Sequence, residues 1–78
     1  MGADVKKARK DALALISEKP GEVGFEEVYG VVERHYTNYR RHENKLQDIR
    51  ELLDFLYWDG YIIPIGLTYA LSPWAAQA

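Results

Sequence analysis

The chain contains no cysteine, and that absence removes several options at once. Disulfide bonds are excluded, as are thiol nucleophiles and Cys-ligated zinc sites. No apolar run approaches the roughly 18 residues that span a bilayer, and the opening MGADVKKARKDA lacks the apolar core of a signal peptide. A soluble cytoplasmic protein is therefore expected, nucleoid-associated if it binds DNA. There is no Gly-rich phosphate loop and no Gly-x-Ser-x-Gly turn, and Ser17 and Ser72 have no base at a recognisable spacing. His35 and His42 stand seven positions apart, which matches no zinc motif. No enzyme, metal or cofactor is expected.

What is present fits one small globular domain. The 78 residues are 47% apolar, too rich for a disordered chain and too short for two domains. A chain of this size buries only about 60–65% of its unfolded surface, so modest stability is expected unless it dimerises.

The formal net charge of −2 conceals an uneven distribution. Over residues 4–10, Lys6, Lys7, Arg9 and Lys10 face only Asp4. Over residues 34–45 (RHYTNYRRHENK), Arg34, Arg40, Arg41 and Lys45 face only Glu43, with both histidines alongside. The rest of the chain holds Lys19 and Arg50 against ten carboxylates. Local positive patches on an acidic protein are the consequence.

Punctuation along the chain sets the elements. Asp4 is a plausible N-cap for a first helix whose apolar positions are Val5, Ala8, Ala12, Leu15 and Ile16, and Pro20–Gly21 ends it. Glu22 to Phe25 is a short extended piece. A second helix follows, with Glu26 and Glu27 in its first turn and Phe25, Val28, Tyr29, Val32 and Tyr36 as its stripe. Gly30 inside that helix suggests a close helix crossing. The third helix is expected to begin near Asn44, with Asn44 and Gln47 forming a capping box. Leu46, Ile49, Leu52, Leu53, Leu56 and Tyr57 make its apolar face, and Gly60 stops it. YIIPI and LTYAL then read as a hairpin hinged at Gly66, with Pro64 on an outward-facing edge.

This order, carried most clearly by LLDFLYWDGYIIPIGLTYALS, resembles the winged-helix fold over about residues 5–72. More loosely, EEVYGVVERHY followed by QDIRELLDFLYWDGYI is similar to the C-terminal winged helix of archaeal replication-initiator (origin-recognition) proteins. The resemblance implies an α+β fold: three helices, a short strand and a C-terminal two-stranded β-hairpin wing. It forms one domain over residues 4–72, with a tail at 73–78.

It also implies a double-stranded DNA partner and a role in transcription regulation or in replication or segregation. In a helix-turn-helix, the second helix of the pair enters the major groove by its N-terminal end. Arg34, Arg40, Arg41 and Lys45 would then meet phosphates, with Tyr39 donating its hydroxyl and His42 adding pH-dependent charge. Asn44 and Gln47 are residue types that read adenine. Three or four phosphate contacts would give a salt slope of about −3 to −4.

Two features point the other way. Asp48, Glu51 and Asp54 lie further along the third helix, and the wing has no basic residue at its tip. The alternative is a protein-interaction module, or a homodimer, docking through the aromatic side of the third helix or the wing, with Phe55, Trp58, Tyr61 and Trp74 as its residues. Phe55 and Trp58 fall outside the core-facing arc at 100° per residue. Either the hairpin covers them through Tyr61 or Ile63, or they form a docking surface.

Overall fold

The computed structural model describes residues 2–73. Strand β1 (Gly2–Ala3) leads into helix α1 (Val5–Glu18), where the Asp4 carboxylate accepts the Lys7 N–H at 3.2 Å and caps the first turn. Ala8, Ala12 and Ile16 form the buried stripe of α1, and Lys6, Lys7 and Lys10 are exposed. Gly21, at φ 79°, turns the chain into strand β2 (Val23–Gly24).

Helix α2 (Phe25–Val32) follows at once, its start closed by Glu27, whose Oε1 accepts the Gly24 N–H at 3.2 Å. A 3₁₀ turn (Glu33–His35) then delivers strand β3 (Tyr36–Thr37). Helix α3 (His42–Trp58) ends at Gly60 in the left-handed region, φ 84°. Strands β4 (Ile62–Ile65) and β5 (Thr68–Leu71) complete the chain. The fold is α+β, with a three-stranded antiparallel sheet in the order β2-β5-β4 and a separate β1–β3 pair. Among the described residues no helix is long and apolar enough to cross a membrane.

The β4–β5 hairpin turns on Gly66–Leu67. Gly66 sits at φ 63° and Leu67 is not left-handed, the pattern of a type II′ turn. The Ser72 N–H donates to the Tyr61 carbonyl at 2.9 Å. Antiparallel alternation then makes 63/70 and 65/68 the hydrogen-bonded pairs and leaves residue 64 pointing off the edge. Pro64 therefore costs the ladder no hydrogen bond, as its missing N–H requires, and it blunts the free edge of β4.

One core joins all three helices to the sheet. Ile49, Leu52, Leu53 and Leu56 of α3 pack with Ala8, Ala12 and Ile16 of α1, Val28 and Val32 of α2, Val23 and Ile62. Arg50 reaches across from α3, its guanidinium 5.1 Å from the Phe25 ring centre.

Several sequence expectations need correction. Tyr36 does not extend the stripe of α2: the helix stops at Val32, and Tyr36 is buried in β3, paired with Ala3 of β1. A partner strand from before Asp4, which helical periodicity does not register, captures that backbone. Helix α3 starts at His42, with Arg41 as its cap residue; Asn44 lies in the first turn and donates its own N–H to the Arg41 carbonyl at 3.2 Å. Val5 and Tyr57 are about half exposed because each sits at a helix end, beyond the reach of the core.

Gly30 marks no close crossing. A Cβ added there meets nothing within 4 Å, and its φ is not left-handed. Gly30→Ala is therefore expected to stabilise the protein by about 0.5–1 kcal/mol, by restricting the unfolded chain and favouring the helix. Urea unfolding measures this directly, and a loss of stability would contradict the open surroundings of Gly30. Gly24 behaves in the opposite way, since a Cβ there would come within 3.0 Å of the Leu67 carbonyl oxygen.

Candidate functional site

The basic stretch divides into residues that brace the fold and residues that remain available. Arg34 belongs to the first group: its Nη2 lies 2.9 Å from Asp11 Oδ2. His35 Nε2 approaches the same oxygen at 2.7 Å, and these contacts tie the 3₁₀ turn to α1, with His35 and Asp11 partly buried and Arg34 exposed over them. Hydrogen bonds from His35 first, and Arg34 second, hold the Asp11 carboxyl below its ordinary 3.8.

A depressed folded-state pKa gives stability that is complete above the unfolded value and lost as pH falls through the folded one. Asp11→Asn is accordingly expected to melt lower than the parent at pH 7. The gap should narrow as pH drops below about 4, where the parent carboxylate also takes up its proton. A gap that stays constant from neutral to strongly acid pH would show that Asp11 acts through packing alone.

Lys45 is also committed. Its Nζ lies 3.0 Å from Glu33 Oε1 and 5.8 Å from the Tyr29 ring centre, with the side chain only 19% exposed. The Glu33 hydrogen bond raises its pKa, so it stays charged while serving as a strut between α3 and the 3₁₀ turn. The Tyr39 hydroxyl donates to the Asp48 carboxylate, and that bond pushes the phenol up to about 12. Tyr39 thus pins the turn to α3, using the hydroxyl that a phosphate would need.

Arg40 and Arg41 remain. Both are exposed, and neither side chain makes an ion pair or hydrogen bond among the described residues. They directly precede α3, whose first residue, His42, stands edge-on to Tyr29 with ring centres 6.0 Å apart. Asn44 and Gln47 are exposed on the first turns of α3. Because Arg41 supplies the cap position, neither side chain is consumed in capping.

The outward line of α3 continues through Glu51 and Asp54 to Trp58, with Glu43 at its start. Between residues 40 and 58, Arg40, Arg41, Lys45 and Arg50 are balanced by Glu43, Asp48, Glu51 and Asp54. Of these cations Lys45 is paired with Glu33 and Arg50 lies over the Phe25 ring, which leaves the Arg40 and Arg41 side chains unengaged at the entry of the helix.

The aromatic residues separate as clearly. Phe55 is 55% and Trp58 68% exposed, their rings edge-to-face at 5.8 Å. The hairpin does not cover them. Its register turns Ile62 inward, and Tyr61 instead lies beneath Arg9, whose guanidinium is 5.8 Å from the ring centre. Trp74 lies outside the described residues. The wing, the other docking element the sequence offers, presents aliphatic rather than aromatic groups: Ile63 and Ile65 face outward, and Leu67 at the tip is 93% exposed. The alternation IIPI about the inward Ile62 sets that outward pair.

Compared with protein families, curated proteins and solved structures, the chain matches none. Function is therefore argued from this surface.

Proposed function

We propose that the chain is a winged-helix protein that contacts duplex DNA, with α2 and α3 as the helix-turn-helix and the β4–β5 hairpin as the wing. The observation that carries this is the pair Arg40–Arg41, exposed and unpaired at the entry to α3, with Asn44 and Gln47 exposed on the next turns. Two adjacent guanidiniums can grip neighbouring phosphates while the amides face base edges.

Internal pairing of Arg34 and Lys45 reduces the contact from four cations to two. The expected salt slope accordingly falls to about −2, from 0.9 counterions released per phosphate. Fluorescence anisotropy on a labelled duplex at low and moderate salt tests this. Arg40→Ala with Arg41→Ala should abolish the salt-dependent component, and equal binding by parent and variant would refute the assignment. The carboxylates Glu51 and Asp54 oppose deep insertion of α3, so the contact is shallow and centred on the backbone.

A second reading, docking to another protein through the hairpin, is favoured by one observation: the fully presented Leu67 at a tip with no cation. It is the reading that stands if parent protein fails to bind duplex at low salt.

A further inference from the structure

The far end of α3 carries a feature that contact with DNA does not use. Val5 of α1 and Phe55 of α3 line a cleft floored by Tyr36 and Leu52, with Asp48 and Glu51 on its α3 wall. Trp58 extends this strip towards the C-terminal end of α3. From their exposed fractions, the Phe55 and Trp58 rings leave on the order of 250 Å² of aromatic surface in solvent. Solvent-facing aromatics of this extent mark an interaction surface.

Charge flanks the strip on two sides with opposite sign. Along the α1 edge, Arg9 is held over Tyr61 and offset by Asp59 at 3.6 Å, so the net positive charge rests on Lys6, which lies on the same flank by helical spacing and makes no ion pair among the described residues. Along the α3 edge run Glu51 and Asp54, both exposed and also without ion pairs among the described residues. An apolar strip with one basic and one acidic edge is complementary to itself. A two-fold axis running along the strip stacks aromatic on aromatic and brings the Lys6 edge of each copy against the Glu51 edge of the other.

We infer that this face is the interface of a homodimer, with a second copy of the chain as its occupant. Such pairing gives the acidic side of α3 a partner, whereas a phosphate backbone there would be repelled. The two rings together with Val5, Tyr61 and the aliphatic stems of Lys6 and Arg9 expose on the order of 500 Å², short of the about 800 Å² that stable interfaces bury on each partner, so the dimer is expected to form at micromolar rather than nanomolar concentration. The inference does not depend on DNA binding. Arg41 and Trp58 are separated by most of the length of α3, roughly 25 Å, so each end can be tested alone.

Sedimentation velocity from low to high micromolar concentration provides the test, with circular dichroism to verify folding. Parent protein should shift from monomer to dimer over this range. Lys6→Glu and Glu51→Lys should each raise the dimer dissociation constant by about tenfold or more, because each places like charges across the interface. Combining both restores an attractive pair and should return the constant to within about threefold of the parent. Trp58→Ser should eliminate the dimer while leaving the helical signal intact.

A parent that stays monomeric at high micromolar concentration overturns the inference. So does a dimer indifferent to both single charge reversals, or a double variant no better than the singles.

Discussion

Leu56→Ala is expected to remove about 2–5 kcal/mol of stability, the range for deleting a fully buried leucine whose cavity cannot collapse. Leu56 is 0% exposed at the meeting of α3 with α1 and the sheet. Its backbone is fixed as well, since its carbonyl accepts the Tyr61 N–H at 2.9 Å where the chain turns from α3 into the hairpin. The surroundings therefore have little freedom to close over the void. A 78-residue domain has a total stability on the order of 4–12 kcal/mol, so a large fraction is at stake. Urea unfolding at 25 °C reads the loss. Leu67→Ala is the control: the same atoms are deleted from a side chain that is 93% exposed, and the cost should stay within about 0.5 kcal/mol. Comparable losses at the two positions would contradict the assigned core.

Ala12→Leu tests the opposite fault. Ala8 and Ala12 are fully buried on the core face of α1, a helix that packs on α2, so a larger side chain at either position must displace its neighbours. Leucine forms helix nearly as well as alanine, so any loss measures packing and not propensity. Overpacking here should cost about 1–3 kcal/mol, lowering the melting temperature by roughly 5–20 °C for a domain of this size. Ala14→Leu, on the exposed side of the same helix, should be near neutral. If Ala12→Leu is tolerated as well as Ala14→Leu, the α1–α2 contact is looser than described.

These two positions differ in how far the sequence reveals them. Leu56 stands in an unmistakable helical stripe with Ile49, Leu52 and Leu53, and its burial follows from periodicity. The burial of Ala12 follows from its stripe too, but the closeness of α2 does not. The only hint of a close crossing pointed to Gly30, which faces open space. The end signals of α3 show the same asymmetry. Gly60 ended it as expected, because the left-handed residue is a local requirement. Its start was misplaced by two residues, because the helix begins without a side-chain cap at Arg41 and Asn44 merely resembles one.

The candidate site was legible in its residues and not in their availability. Sequence alone determined where the cations gather, that the elements run helix, strand, helix, helix, hairpin, and that Pro64 must face off the sheet edge. Each depends on local chemistry: charge count, periodicity, and the φ or N–H of a single residue. Only the tertiary structure decided that Arg34 and Lys45 answer carboxylates 23 and 12 positions away, that Tyr39 is tied to Asp48, and that β1 claims Tyr36 for a strand. It also decided that Phe55 and Trp58 remain uncovered. Such pairings arise when distant segments meet, and no periodicity within either segment encodes them. What remains free after those meetings is Arg40–Arg41 at one end of α3 and an aromatic strip at the other.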